Sequence, residues 1–263
     1  MATVKVRGAE IAYERSGTGP DMIWGHGLSQ TRASDLDSGW MQYSRLPVTL
    51  VRYDARGHGE SESTPDLEGY SWRELALDQL ALADALGIDT YICGGASMGC
   101  GTALHVAVAA PERVRGLILV IPPTGWETRA AQAGQWMDFA DIIESTGVED
   151  MIAARSQLPQ PDPYEGDESR RETAAKHTRA WDPKRLAHVM RGATRANFPD
   201  REAVASITAP VLILAWTGDP VHPVSSAEEL HRLLPHAAMH VASTAADLEA
   251  WTDHAAGFIT SLD

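Results

Sequence analysis

Gly95-Ala96-Ser97-Met98-Gly99 follows the apolar run Thr90-Tyr91-Ile92-Cys93-Gly94 and precedes a small-residue, helix-compatible stretch from Cys100 to Ala110, which Pro111 stops. A strand that turns through Gly-x-Ser-x-Gly into a helix is a nucleophile elbow. The turn is tight enough that the serine's neighbours must be small, and the hydroxyl is pushed to the top of a sheet beside the next helix N-terminus. Such a serine attacks carbonyl carbon. The five-residue pattern alone is only moderately specific, and the strand before it and the helix after it decide for the elbow over an ordinary Gly-rich turn.

The elements around it form an alternating series. Thr3 to Gly8 and Glu10 to Arg15 predict a hairpin, and Asp21 to Trp24 a buried strand running into Gly25-His26-Gly27-Leu28. Val48 to Asp54 predicts the next strand. A helix over Ser71–Leu86 carries Leu75, Leu77, Leu80, Leu82 and Leu86 at roughly helical spacing. Val114 to Ile121 is a further strand, closed by Pro122-Pro123. From Thr124 to about Ala205 no strand pattern appears, only helical pieces broken by Pro159, Pro161, Pro163 and Pro183. The strand pattern resumes at Pro210 to Trp216. A helix near Pro223 to Leu234, a strand near Met239 to Ala242 and one last helix from Asp247 to Leu262 complete the series. Short apolar runs alternating with helices predict an α/β fold with a mostly parallel sheet and helices on both faces. The expected division is a core over 1–123 and 206–263 with a helical insertion over 124–205.

Composition narrows the partners. The 263 residues are 44% hydrophobic and 22% charged with a formal net charge of −14, which suits a globular chain and lacks the basic stripe of a nucleic-acid surface. No signal-peptide segment or membrane-length apolar stretch is visible, so a cytoplasmic protein without membrane or nucleic-acid partners is expected. A homodimer is left open. Cys93 and Cys100, the two cysteines, flank the elbow and are expected as buried thiols. No metal cluster or nucleotide loop is visible, so neither a metal nor another cofactor is expected.

His26-Gly27-Leu28, Tyr53-Asp54-Ala55-Arg56-Gly57-His58-Gly59-Glu60-Ser61, Gly95-Ala96-Ser97-Met98-Gly99 and Thr217-Gly218-Asp219 occur in this order. With them the chain resembles the α/β-hydrolase superfamily, specifically small capped bacterial esterase- and peroxidase-like members. The resemblance covers nearly the whole chain, most weakly over 124–205, which it identifies as a helical cap. It implies Ser97 as nucleophile, the backbone N–H groups of Leu28 and Met98 as oxyanion hole, and Asp219 as the acid that orients a histidine. Glu127 is the alternative acid. Asp54, Arg56 and His58 are expected to brace their loop, and His26 to shape the oxyanion turn. Trp126 is expected to line the substrate pocket, with Trp136 and Trp181 further along.

The pattern breaks at the base. The family places histidine after the last strand, where this chain reads Ala242-Ser243-Thr244-Ala245-Ala246-Asp247. The other histidines sort by position along their elements. His105 and His254 lie two turns into helices, His240 lies within a strand, His231 on a helix's polar side and His236 at the opposite sheet edge. His177 and His188 lie in the insertion and could reach down. His222, in Asp219-Pro220-Val221-His222-Pro223, leaves a strand at the reactive edge three residues after the expected acid. It is the leading candidate base, beside the alternative that no histidine serves. The expected function is hydrolysis of a small, fairly apolar ester, thioester or lactone through an acyl-enzyme at Ser97. The missing base leaves open a lyase, cyclase or C–C bond hydrolase on the same fold, or a ligand-binding protein.

Overall fold

The computed structural model describes residues 2–262. Eight strands form one sheet: β1 (Ala2–Val6), β2 (Ala9–Gly17), β3 (Asp21–Gly25), β4 (Thr49–Tyr53), β5 (Tyr91–Ala96), β6 (Val114–Val120), β7 (Val211–Trp216) and β8 (Ala238–Ala242). Their spatial order is β1-β2-β4-β3-β5-β6-β7-β8. The β1–β2 and β2–β4 pairings are antiparallel, and every pairing from β4 to β8 is parallel. The C-terminal ends of β3, β5 and β7 therefore open on one edge, where ligands of such sheets bind.

Side-chain alternation explains the two covered faces. Ile23, Val51, Cys93, Leu117, Leu119 and Ile213 belong to one apolar cluster. Their neighbours Met22, Leu50, Ile92, Ile118, Val120 and Leu212 belong to the other. The first face is covered by α1 (Trp72–Ala85), α2 (Met98–Ala109) and, after β7, α8 (Val224–Leu233), which contribute Leu75, Leu82, Leu104 and Leu230. Leu248, Trp251 and Ile259 cover the second. Those three lie on two helices, α9 (Ala245–Glu249) and α10 (Trp251–Thr260), rather than the single last helix expected. The first of these starts on a capping box between Thr244 and Asp247. Both cysteines are buried free thiols.

Between β6 and β7 lie α3 (Arg129–Ser145), α4 (Val148–Ser156), α5 (Glu168–Arg179), α6 (Pro183–Ala193) and α7 (Arg201–Ala205). Helices α3, α4 and α6 share a third apolar cluster around Trp136, Phe139, Met151, Leu186 and Met190, against which Leu28, Trp181 and Val221 pack.

The elbow depends on backbone contact between β3, β5 and α2. A Cβ on Gly95 would meet the Gly25 carbonyl oxygen at 2.7 Å, and one on Gly99 would collide with the same carbonyl. Gly99→Ala is therefore expected to destabilise the fold by about 2–4 kcal/mol, because backbone cannot rotate aside as a side chain can. Gly134, exposed within α3 with nothing near its Cβ position, should gain up to about 1 kcal/mol as alanine. Chemical denaturation of the two variants checks both signs.

Candidate active site

Ser97 holds φ +52° and ψ −106° between β5 and α2. A non-glycine residue in this region costs about 1–3 kcal/mol, which the surrounding structure must supply. That supply includes the Ser97 N–H donating to Val120 O at 3.0 Å and the glycine contacts described above. The result is a half-buried hydroxyl at the sheet edge.

His222 Nε2 lies 2.8 Å from Ser97 Oγ, and His222 Nδ1 lies 2.6 Å from Asp219 Oδ2. A carboxylate only accepts, so Nδ1 carries the proton and Nε2 is free to accept from the serine hydroxyl. The loop between β7 and α8 makes this geometry with four residues. Asp219 Oδ1 accepts from Val221 N–H at 2.8 Å, an Asx turn that folds the chain back and returns the His222 ring to the other carboxylate oxygen. Trp216 Nε1 donates to that same Oδ2 at 3.0 Å. Val221 O in turn accepts from Thr124 N at 3.4 Å and Gln132 Nε2 at 3.3 Å, fastening the loop to the inserted helices. Burial pushes the Asp219 carboxyl up, but the His222 charge and the hydrogen bonds from His222, Val221 and Trp216 outweigh it and hold it at about 2.

The two expected oxyanion donors are fixed by their own peptide planes. Gly27 O accepts from Gln30 N at 3.0 Å and lies 2.8 Å from His26 Nδ1. His26 Nε2 accepts from Ala55 N, which leaves the proton on Nδ1. In a trans peptide the N–H points opposite its carbonyl, so the Leu28 N–H is turned away from these groups. Ser97 O accepts from Cys100 N at 2.9 Å, which directs the Met98 N–H in the same manner. Neither N–H has a hydrogen-bond acceptor among the described residues. A Cβ on Gly27 would stand 3.7 Å from Ser97 Cβ, so the turn carrying Leu28 lies against the serine.

The motif over 54–61 braces this turn. His58 Nε2 lies 2.8 Å from Leu28 O, Asp54 pairs with Arg32, and Arg56 is clamped on Asp78 at 2.7 and 2.8 Å. Burial lowers the pKa of both His26, to about 4, and His58, to about 3.

A cavity of about 320 Å³ opens above Ser97, His222 and Asp219, with Trp40, Trp136, Phe139 and Trp216 among its walls. Trp126 is not among them, contrary to the expectation from its place at the start of the insertion. Its indole packs edge-on to Phe198 with centroids 5.2 Å apart, donates to Pro199 O and carries Arg201 over its ring. Glu127, the alternative acid, is an exposed partner of Arg201. Trp181 packs on His58, and Trp136 alone of the three insertion tryptophans lines the cavity. Sequence reading missed Trp40 and Trp216. Trp216 carries a signal in hindsight, since the last residue of a buried strand three positions before the acid is well placed to hold it.

The remaining histidines are engaged elsewhere or lie off the serine. His105, His188 and His236 contact the carbonyls of Asn197, Thr64 and Ala209, and His240 stacks on His254. His177 lines the cavity but faces Asp37 at 2.8 Å. The Ser243–Asp247 segment is exposed and caps α9. Among the described residues, no group of three or more His, Cys, Asp or Glu is arranged to hold a metal ion, and no helix is long and apolar enough to cross a membrane.

Comparison with known proteins agrees with this architecture. The chain is 28% identical over 210 residues to 3-oxoadipate enol-lactonase 1 of Acinetobacter baylyi, covering 77% of this chain and 70% of that one. The enol-lactonase from Burkholderia xenovorans LB400 superposes with a TM-score of 0.78 at 20% identity, over 99% of this chain and 98% of the other. A thermophilic esterase from Thermogutta terrifontis does so with 0.75 at 21%, over 98% and 94%. At these identities the superpositions speak to fold alone. The model of the α/β hydrolase fold matches residues 26–252, and with that span, the elbow and the sheet order together, the chain belongs to the α/β-hydrolase fold family.

Proposed function

We propose that this chain hydrolyses a small ester or lactone through an acyl-enzyme on Ser97, with His222 as base and Asp219 as its orienting acid. The observation that carries this reading is the continuous contact from Ser97 Oγ through the His222 imidazole to Asp219. Attack of Oγ on the substrate carbonyl passes the hydroxyl proton to Nε2, and the Asp219 carboxylate stabilises the imidazolium that forms. The Leu28 and Met98 N–H groups receive the oxyanion, a charge present only in the tetrahedral state, so they lower the barrier rather than merely tightening binding. Collapse expels the alcohol with the proton from Nε2. Water, deprotonated by the same nitrogen, then releases the acid.

The named activity of sequence relatives supports the bond type: two are 3-oxoadipate enol-lactonases. The aromatic cavity under the inserted helices, which act as a cap, supports a compact substrate with apolar parts. The lyase, cyclase, C–C bond hydrolase and binding alternatives drew on the empty base position after β8, and the His222 imidazole beside Ser97 supports the hydrolytic reading over them.

Intact mass during incubation with a short-chain 4-nitrophenyl ester tests the reading. Wild type should show an acyl adduct that forms and clears as nitrophenolate accumulates. Ser97→Ala should show no adduct, and Asp219→Asn should lose about 10³–10⁴-fold in turnover. Turnover that survives Ser97→Ala would contradict the mechanism. A second check concerns stability. The Asp219 pKa is about 2 in the fold against an ordinary 3.8, so its ionised form stabilises the protein above about pH 4, a contribution lost as pH falls toward 2. The Tm gap between wild type and Asp219→Asn should therefore be full at pH 6 and shrink by pH 3.

A further inference from the structure

The cavity carries more arginines than carboxylates in its lining, in an acidic chain. Three arginines line it, Arg155, Arg170 and Arg171, against two carboxylates, Asp37 and Asp219, in a protein of net charge −14. All but one of these charges are matched. Asp37 faces His177 at 2.8 Å and Asp219 faces His222 at 2.6 Å. Arg170 lies 3.5 Å from Asp167, and Arg171 lies 3.7 Å from Glu168. Arg155, on the last turn of α4, makes one hydrogen bond, from Nη1 to Ser29 Oγ at 2.9 Å, and has no carboxylate within ion-pair distance among the described residues. Four of its five N–H donors are thus unused.

A half-buried guanidinium without a counter-charge is costly, and proteins keep such groups where a ligand supplies the charge. Burial disfavours its charged form, and the nearby Asp219 only partly offsets this. Its position is specific. Ser29 follows Leu28, so the fork stands one residue from the oxyanion turn and shares a cavity wall with Ser97 and His222. A planar five-donor fork matches a carboxylate in a bidentate pair.

From this we infer that the substrate carries a carboxylate, which Arg155 binds while Ser97 attacks an ester or lactone carbonyl elsewhere in the same small molecule. Trp136, Phe139 and Leu158 line the same cavity and suit an apolar spacer. The inference deepens the reaction proposed for Ser97 and rests on it.

The test compares mono-4-nitrophenyl esters of straight-chain dicarboxylic acids of six to eight carbons with 4-nitrophenyl esters of monocarboxylic acids of the same lengths. At the best length, the wild-type ratio of kcat/KM, charged over neutral, should be about 10–100, carried mainly by KM. Arg155→Gln should bring that ratio to about 1 or below, and Arg155→Lys, which keeps the charge but loses the fork, should fall between. A purely structural bolt to Ser29 would lower both substrates together and leave the ratio unmoved. Calorimetric titration with pimelate, the seven-carbon diacid, runs in parallel and needs no turnover. Wild type should bind it at least tenfold more tightly than Arg155→Gln does. A ratio near 1 in wild type, or one unchanged by Arg155→Gln, overturns the inference while Ser97-dependent turnover leaves the hydrolase standing. If neither ester turns over, the hydrolase reading fails, and the titration decides: Arg155-dependent pimelate binding upholds the anion site, and its absence overturns it.

Discussion

The carboxylate of Asp219 is the group on which the site turns. One oxygen closes the Asx turn with Val221, and the other receives both Trp216 Nε1 and His222 Nδ1. A single side chain thus shapes the loop, fixes the imidazole tautomer and ties both to the last residue of a buried strand. Asp and His only three residues apart would ordinarily be a local pair at a surface turn. Here the ring is directed inward because Val221 is engaged by Thr124 and Gln132 and packs against the inserted helices. The proposed base is therefore held by the sheet from one side and by the insertion from the other.

The Ser97 side of the site rests on a different constraint, the close approach of backbones. Gly25, Gly95 and Gly99 let β3, β5 and α2 meet without side chains between them. Ser97 can then hold its unfavourable torsions, and the Gly27–Leu28 peptide lies beside it. The charged motif over 54–61 adds rigidity through His58 on Leu28 O and the Asp54–Arg32 pair. These buried interactions hold the Gly27–Leu28 peptide in place before any substrate arrives, the preorganisation that the proposed oxyanion hole would need.

Much of this was legible in the sequence. Strand and helix runs and the elbow declare themselves by local pattern, because apolar runs and tight glycine turns are local demands, while Asp219 was singled out by the family resemblance. What required three dimensions was the reach of a side chain across the fold. His222 is a loop histidine before a proline, and nothing nearby in sequence says whether it faces Ser97, 125 positions away. The Trp126 expectation failed for the same reason. Position at the mouth of the insertion did not reveal that Phe198, Pro199 and Arg201 would claim the indole. Arg155 was invisible as well, since an arginine on a polar helix is ordinarily a solvated one. The last helix divided in two where Ala250 links α9 to α10, a boundary that carries no glycine or proline.

The central claim is that the base comes from the β7 loop rather than from the position after β8. The most direct measurement is the rate of Ser97 acylation by a 4-nitrophenyl ester, followed by rapid-quench intact mass, in wild type and in His222→Ala. The account predicts a fall of about 10³-fold or more, with the variant folded and its circular dichroism unchanged. Acylation of His222→Ala within about tenfold of wild type would contradict it and assign the proton to another group.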